Sequence, residues 1–421
     1  MNAAQRARRR TPNKTGLVLT AGGARGAYQA GVLKRIGEIR ALHSRPSPFP
    51  IIAGASAGAI NGACVASYSA EFRQGTELLA GLWAQLNAAR VYRSDLWSLG
   101  KNGAGLLLDL LLGHAFGAGR VKSFVDTAPL RSFLAAALPM HGIAESIRKR
   151  HLYALAITAT GYHSGKAFTF IQGQPGHPLW NKSRRVALRA TLTADHVYAS
   201  AAIPLVFPPA PLLVAGATAY FGDGALRLVT PLSPAIRLGA GRVFAIGVRN
   251  TSAADDLLRT ELARDGDAAS AGARLRSPPL AQVCGVFLNA IFLDHLDADV
   301  DHLVRMNQLV AAQGHAGTDL IDPDRSTHEP MRVVEPLVIS PSEDLAIVAR
   351  SLERHMPRSI RYLLDGLGTP DAQSADLTSY LLFDAAFTRE LIDIGYRDAA
   401  RRIDEIEAFL LAPRSAALAY H

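Results

Sequence analysis

Ser56 stands at the centre of "GASAG", residues 54–58, which matches the G-x-S-x-G pattern of a nucleophile elbow. In such an elbow the serine occupies a sharp strand-to-helix turn that projects its hydroxyl into open space, and the turn requires small neighbours. Gly54 and Gly58 meet that need, as do the two alanines between them. The same residues also suit the start of an alanine-rich helix with Ser56 as its N-cap, so the motif alone leaves both interpretations open.

A second stretch, "GGARG", follows the apolar run "GLVLT" and precedes a predicted helix. Acyl transfer requires N–H donors directed at the carbonyl oxygen that becomes negative, and the start of a helix supplies unpaired N–H groups. Glycine lets the backbone turn freely and lets a substrate approach it. We therefore predict an oxyanion hole, in which the arginine either adds positive charge or braces the loop, formed by Gly22, Gly23, Ala24, Arg25 and Gly26.

A phosphate-binding turn for a nucleotide is the competing interpretation of this stretch. A dinucleotide fingerprint requires G-x-G-x-x-G and an acidic residue about 20 residues further on, at the end of a strand. Here Ala21 occupies the first glycine position, and the nearest acid, Glu38, falls within the predicted helix. The Gly-Lys-Ser/Thr ending of a P-loop is also missing from the stretch. The sequence therefore disfavours nucleotide binding.

A serine nucleophile needs a base, and Asp223 in "YFGDGALR" is the better candidate. It lies between two glycines after an aromatic strand end, where other groups can approach, although an ordinary Asp-Gly turn would look the same. An exposed aspartate, with a pKa near 3.9, is a weak base. Asp223 must therefore be poorly solvated and hydrogen-bonded to the Ser56 hydroxyl. Among the 13 histidines, His196 is a plausible partner for a Ser–His–Asp triad, which is the alternative.

The elements that would position these residues alternate between strands and helices. Such alternation predicts a mostly parallel sheet covered on both faces. "HLYALAITATGYHSGKAFTFI" reads as two strands around a turn. Other predicted strands lie at 16–20, 242–248 and 332–340, and predicted helices lie at 24–40 and 184–201.

"GGARGAYQAG", "GASAG" and "DGA", in this order, resemble the three signatures of the patatin-like phospholipase family. The stretch "ASAAIPLVFPP" (199–209) resembles one common between the second and third, and "DGA" replaces "DGG". The similarity covers roughly 15–250. It implies a three-layer α/β/α sandwich with a mostly parallel central sheet. It also implies a catalytic dyad of Ser56 and Asp223 without histidine, and hydrolysis of ester bonds in phospholipids or related lipids with no metal or organic cofactor.

We divide the chain into a disordered basic arm (1–14), a patatin-like catalytic domain (15–341) with an insertion at about 251–330, and a C-terminal helical region (342–421). A leucine-rich segment at 103–119 is too short to span a membrane. It fits either a buried helix or a lid that meets lipid.

Composition limits the partners. The chain has 421 residues, 49% of them hydrophobic, and a net charge of +9 that is dilute and partly confined to the arm. The arm lacks the apolar run of a signal peptide. We expect a cytoplasmic protein that binds a lipid ester, touches an anionic membrane peripherally and binds no nucleic acid. Its two cysteines, Cys64 and Cys284, fit a reducing compartment and make no metal site.

Two alternatives to a dyad enzyme remain. The first is an α/β-hydrolase-type esterase with a Ser–His–Asp triad, which is disfavoured because Ser56 follows only two recognisable strands. The second is a non-catalytic lipid-binding protein on the same scaffold. The sequence leaves head-group specificity and oligomeric state open.

Overall fold

The computed structural model describes residues 14–91, 127–204, 206–250, 295–316, 332–352, 354, 356 and 378–411. The strands of this part of the chain are β1 (Lys14–Leu19), β2 (Ile51–Ala55), β3 (Ala154–Gly161), β4 (Lys166–Gly173), β5 (Arg185–Arg189), β6 (Ala210–Val214), β7 (Ala217–Gly222), β8 (Ala240–Ile246) and β9 (Glu335–Ile339).

The α-helices in the same ranges are α1 (Gly26–Gly37), α2 (Ala57–Ser67), α3 (Phe72–Ala84), α4 (Ala88–Val91), α5 (Ala128–Ala137), α6 (His141–Arg148), α7 (Ala194–Ser200), α8 (Ser233–Arg237), α9 (Leu296–Ala316), α10 (Leu345–Ser351), α11 (Ala385–Arg401) and α12 (Ile403–Leu411). Short 3-10 turns lie at Gly23–Arg25, Arg40–Leu42 and Gly224–Leu226.

One sheet organises these elements, with strand order β5-β4-β3-β2-β1-β8-β9 and the β6–β7 hairpin attached to β3. The pairs β1–β2, β1–β8, β2–β3, β8–β9 and β4–β5 are parallel. The pairs β3–β4, β3–β7 and β6–β7 are antiparallel. The predicted mostly parallel sheet is therefore confirmed. The central strands β1, β2 and β8 are buried nearly throughout, as expected for strands covered on both faces.

Two hydrophobic cores lie on opposite faces of the sheet. The larger one packs α1, α2, α3 and α11 against one face and includes Leu33, Phe49 and Phe244. The smaller one packs α8 and α9 against the other face and includes Val18 and Leu303. The protein is therefore a three-layer α/β/α sandwich, as the family resemblance implied.

The C-terminal helix α11 packs directly on α1. A Cβ added at Gly31 of α1 would collide with the carbonyl of Ile392, and one added at Gly395 of α11 would collide with the carbonyl of Tyr28. The two backbones can approach this closely because both positions are glycine. The helix that follows the "GGARG" loop is thus held by a segment far along the chain.

The late strand predicted at 332–340 is present as β9 and pairs in parallel with β8. On this basis we propose that 15–341 forms one catalytic domain. The arm at 1–14 lies outside the described residues except for Lys14, which begins β1, and the insertion at 251–330 lies outside them except for 295–316. The leucine-rich segment at 103–119 and Cys284 lie outside them as well.

Two local predictions were wrong or incomplete. The predicted helix at 184–201 is strand β5 followed by the short helix α7, because "RVALR" completes a parallel ladder with β4 at the edge of the sheet. The β6–β7 hairpin was not predicted from the sequence. Its turn, Ala215–Gly216, has positive φ at both residues, which gives the twist of a two-residue hairpin.

Within the described ranges, no helix combines the length and the apolar character needed to cross a bilayer.

Candidate active site

Ser56 occupies the sharp turn between β2 and α2. Its backbone has φ 54° and ψ −125°, a conformation that costs a non-glycine residue about 1–3 kcal/mol. A Cβ added at Gly54 would collide with the carbonyl of Gly58, and one added at Gly58 would collide with the carbonyl of Leu19. Both glycines are therefore required where the turn closes on β1, and the geometry of a nucleophile elbow is present.

Strand register brings Asp223 to Ser56. Ala55, the last residue of β2, pairs with Thr158, and Gly222, the last residue of β7, pairs with Thr160 of the same strand. The residues that follow these strand ends therefore emerge at neighbouring points, because two residues of a strand span about 7 Å. The Ser56 hydroxyl donates a hydrogen bond to Oδ2 of Asp223 at 2.6 Å. The contact that the sequence required is present.

Asp223 is fixed on both its side chain and its backbone. Its Oδ1 accepts a hydrogen bond from the Ala225 amide at 2.8 Å. Its own amide donates to the Ala202 carbonyl at 2.8 Å, and its carbonyl accepts from the Thr160 hydroxyl at 2.8 Å. The side chain therefore has one carboxylate oxygen anchored and the other directed at Ser56.

The environment of Asp223 changes its acidity. The residue is 1% exposed, and burial raises the pKa of its carboxyl from 3.8 to about 6, although hydrogen bonds from Ser56 and Ala225 oppose the rise. Burial, and secondarily the charge of Asp223, raises the pKa of the nearby Tyr162 to about 12. Asp223 is thus ionised at neutral pH but is a stronger base than an exposed aspartate.

Ser200 holds the elbow from the other side, a role that sequence reasoning missed. The Ser56 amide donates to the Ser200 hydroxyl at 2.9 Å, and that hydroxyl donates to the Thr158 carbonyl at 2.6 Å. The Ser56 amide is therefore not free to bind a substrate. The feature of the sequence that could have pointed to Ser200 is its position within the stretch "ASAAIPLVFPP", which resembles one common in the family.

The glycine loop forms a 3-10 turn that leads into α1, and two of its amides are hydrogen-bonded to carbonyls of the loop. The Arg25 amide donates to the Gly22 carbonyl at 3.0 Å, and the Gly26 amide is directed at the carbonyls of Gly23 and Ala24. These two amides of the predicted oxyanion loop therefore have acceptors within the turn itself. Gly23, the first residue of the turn, lines the same pocket as Ser56.

Arg25 braces this loop against the C-terminal part of the chain. Its side chain is 2% exposed, and its Nε donates to the Ser379 hydroxyl at 2.7 Å. The guanidinium lies 4.6 Å from the centre of the Tyr380 ring. Gly23 has φ +54°, and a Cβ there would collide with the Tyr380 carbonyl. Of the two roles expected for Arg25, these contacts correspond to bracing.

A pocket beside the elbow includes Ser56 in its lining. None of its lining side chains is charged, and nearly all are apolar. The indole N–H of Trp83 donates to Asn61 at 2.7 Å, so its polar atom is satisfied away from the cavity. Such a pocket can hold a hydrocarbon chain. Besides Ser56 and Gly23, it is lined by Ala57, Ile60, Leu79, Leu82, Trp83, Leu86, Val91, Leu130, Phe133, Leu134, Ala137, Leu138, Ala201, Ile203, Phe207 and Phe383.

His196 is placed differently from a triad base. Its Nδ1 lies 3.0 Å from the Thr193 hydroxyl in the capping box of α7, and its ring lies 5.0 Å from that of Phe170. Burial lowers the pKa of His196. Across the ranges the structure describes, no histidine hydrogen-bonds to Ser56 or Asp223, and no cluster of three His, Cys, Asp or Glu suits a metal ion.

Comparison of the sequence with protein families gives a match to the patatin-like phospholipase family over residues 17–236. The match includes Ser56, Asp223 and the glycine loop, and it covers more than half of the 421 residues. The chain therefore belongs to the patatin-like phospholipase family. No curated protein matches the chain.

Several solved structures are similar to this one at low identity. VipD from Legionella pneumophila is 13% identical, with 91% of this chain and 67% of that chain covered and a TM-score of 0.29. ExoU from Pseudomonas aeruginosa, in complex with SpcU, is 15% identical, with 94% and 78% covered and a TM-score of 0.24. Human GIVD cytosolic phospholipase A2, bound to methyl gamma-linolenyl fluorophosphonate, is 11% identical, with 93% and 60% covered and a TM-score of 0.33. The family assignment rests on the sequence match and not on these structures.

Proposed function

We propose that this protein is a serine lipid acyl hydrolase that cleaves carboxylic ester bonds of phospholipids or related lipids through a Ser–Asp dyad. The observation that carries the proposal is the 2.6 Å hydrogen bond from the Ser56 hydroxyl to the buried carboxylate of Asp223, at the mouth of an apolar pocket. It joins a nucleophile, a base and a site for a hydrocarbon chain in one place.

The proposed cycle has two halves. Ser56 Oγ attacks the ester carbonyl carbon while its proton passes to Asp223 Oδ2, and the tetrahedral intermediate then collapses. The carbon–oxygen bond to the alcohol breaks, and Asp223 returns the proton to that oxygen, which leaves an acyl-serine. Water then attacks the acyl carbon and gives a proton to Asp223. Ser56 takes that proton back as the fatty acid leaves.

The glycine loop supplies the second component. Gly23 and Ala24 belong to the 3-10 turn that leads into the positive end of α1, Gly23 lines the pocket with Ser56, and Gly22 precedes them. A donor directed at a developing oxyanion contributes about 3–4 kcal/mol to transition-state stabilisation. We assign the oxyanion hole to this loop, with Arg25 as the residue that positions it.

The pocket favours a lipid over a small ester. Each CH₂ group transferred into an apolar cavity contributes about 0.8 kcal/mol, and the lining of this cavity has no charge to oppose a hydrocarbon chain. The acyl chain would therefore occupy the pocket while its ester lies at Ser56.

The test is product analysis after incubation with a panel of defined phospholipids, lysophospholipids and glycerides. We expect Ser56→Ala and Asp223→Asn each to reduce release of fatty acid by a factor of about 10⁴ or more. Ser351→Ala, which changes an exposed serine on α10, is the matched control and should retain full activity. Full activity in either site variant would remove the dyad. Failure of a fluorophosphonate probe to label Ser56 would favour the non-catalytic lipid-binding alternative.

A further inference from the structure

The β6–β7 hairpin, Ala210–Gly222, extends directly from the candidate site. Its first strand begins three residues after Phe207, which lines the pocket, and its second strand ends immediately before Asp223. Its base is fixed to the central sheet, because Gly222 and Phe221 pair with Thr160 and Gly161 at the end of β3. Any surface that binds the hairpin is thereby held close to Ser56.

The hairpin has one buried face and one exposed, uncharged face. Strand pairing places Leu213 opposite Thr218 and Pro211 opposite Tyr220, and all four lie on the exposed face. Leu213 is 76% exposed, more than any other large hydrophobic side chain in the described ranges, and Tyr220 is 37% exposed. The sequence of the hairpin, "APLLVAGATAYFG", contains no ionisable group except the tyrosine hydroxyl.

The tyrosines continue this face onto the neighbouring turn. The Tyr162 amide donates to the Tyr220 carbonyl at 3.0 Å, and the ring of His163 lies 6.0 Å from that of Tyr220. Tyr162 is itself exposed at its ring. Tyrosine is favoured at boundaries between apolar and aqueous surroundings, because its ring suits the apolar side and its hydroxyl suits the aqueous side.

Cations border the hairpin on the side of the β3–β4 turn. The Arg227 guanidinium lies beside Gly165 in that turn, and the next residue, Lys166, begins β4. The amide of Ala167 in turn donates to the carbonyl of Arg184, whose side chain is exposed.

Acidic residues are scarce in the same part of the chain. From Ala159 to Leu238 the only carboxylates are Asp195 and Asp223, against the cations Lys166, Lys182, Arg184, Arg185, Arg189, Arg227 and Arg237. Asp223 is buried in the site, and Asp195 is paired with Arg131 at 2.6 Å. This segment of the chain therefore carries an excess of positive charge, which includes the exposed residues Arg184 and Arg227.

We propose that the exposed face of the β6–β7 hairpin docks on an anionic lipid surface and so delivers the site to its substrate. Leu213 and Tyr220 enter the boundary between head groups and acyl chains, and Arg184 and Arg227 contact anionic head groups. This inference rests on the proposed lipid hydrolase function, since it names the surface from which that site takes its substrate. Charge complementarity selects an anionic lipid surface as the occupant.

The experiment is sedimentation with vesicles of phosphatidylcholine alone and of phosphatidylcholine with phosphatidylglycerol. The full chain carries Ser56→Ala, so that the vesicles remain intact. We expect stronger binding to the anionic vesicles. Leu213→Asp should weaken that binding by a factor of about ten or more, and Arg227→Gln by a factor of about five. Ile347→Asp, which changes a side chain 68% exposed on α10, is the matched control and should bind like the parent chain.

A second measurement separates docking from catalysis. With Ser56 intact, hydrolysis of a soluble short-chain ester should be unchanged by Leu213→Asp, whereas hydrolysis of vesicle lipid should fall. No binding to anionic vesicles, or equal loss in Leu213→Asp and Ile347→Asp, would overturn the docking proposal. A self-association that Leu213→Asp abolishes, with vesicle binding unchanged, would assign the face to a second copy and also overturn it. Vesicle binding that depends on Leu213, in a protein without any ester hydrolysis, would support the docking proposal and reject the proposed hydrolase function.

Discussion

The buried side chain of Arg25 donates from its Nε to the hydroxyl of Ser379, 2.7 Å away and 354 residues later in the chain. Arg25 belongs to the glycine loop beside Ser56, whereas Ser379 lies just before the pocket residue Phe383. The family match ends at residue 236. The C-terminal part of the chain is thus in direct contact with the loop to which we assign oxyanion stabilisation.

This contact predicts a positioning role for Ser379. In Ser379→Ala the Arg25 Nε donor loses this acceptor, which is costly because both side chains are buried. The loop should then move, and kcat should fall about tenfold or more while KM changes less than about twofold, because the donors act on the transition state. Ser379→Thr keeps the hydroxyl and should restore most of kcat.

Steady-state kinetics with a soluble ester measures the separate changes in kcat and KM, and thermal unfolding shows whether each variant is folded. Ser351→Ala serves again as a serine control outside the site. An unchanged kcat in Ser379→Ala, in a folded protein, would show that Arg25 holds the loop without this partner.

The acidity of Asp223 predicts the pH dependence of the reaction. Only the ionised carboxylate can accept the Ser56 proton, and the pKa of Asp223 is raised to about 6. We therefore expect kcat/KM to rise with pH through about 6 and to be level above it. Because a histidine would titrate in the same range, the profile should also be measured for His196→Gln, which keeps a side chain able to complete the capping box. A displaced midpoint in that variant would assign the titration to His196.

The same raised pKa makes Asp223 a cost to folding stability. An aspartate whose pKa in the folded state exceeds its unfolded value of 3.8 contributes nothing to stability at low pH, where the residue is protonated in both the folded and the unfolded state. It destabilises the fold as the pH rises through the folded value. The full cost, reached above pH 6, is about 3 kcal/mol, and about half of it is present at pH 5. Asp223→Asn should remove this cost. The gain in stability of Asp223→Asn over the parent chain, measured as the increase in the free energy of unfolding, should therefore be about 1 kcal/mol larger at pH 8 than at pH 5. Denaturant titrations at both pH values measure this difference, and an equal difference at the two would contradict the assignment.

Residues whose constraint is local could be predicted from the sequence. Ser56 with Gly54 and Gly58 was readable because a strand-to-helix turn excludes larger side chains at fixed positions. Asp223 was readable because a carboxylate between two glycines on a turn is accessible, and because the order of the motifs matched a family. The mostly parallel sheet covered on both faces followed from the alternation of apolar strands and helices, whereas the three-layer α/β/α sandwich was implied by the family resemblance.

Residues that act through distant contacts were not predictable. Ser200 and Ser379 are single serines whose partners, Ser56 and Arg25, are set by tertiary packing. Nor could the sequence say which amides of the glycine loop are hydrogen-bonded within it, since that depends on the 3-10 turn in which the Arg25 amide donates to the Gly22 carbonyl. The strand β5 was missed because its ladder with β4 outweighs the local preference of its residues.

Gly23 gives the sharpest test of the loop itself. Its φ of +54° is unfavourable for alanine, and a Cβ would collide with the Tyr380 carbonyl, so Gly23→Ala must displace the loop or the C-terminal segment. We expect kcat to fall about 100-fold or more, because a displaced loop loses donors to the oxyanion. Gly81→Ala is the matched control: it lies within α3, a Cβ there meets nothing within 4 Å, and the change should stabilise the fold by up to about 1 kcal/mol. Steady-state kinetics and thermal unfolding of the two variants separate a catalytic loss from a folding loss. If Gly23→Ala kept the activity of Gly81→Ala, the amides of this loop would not serve the reaction.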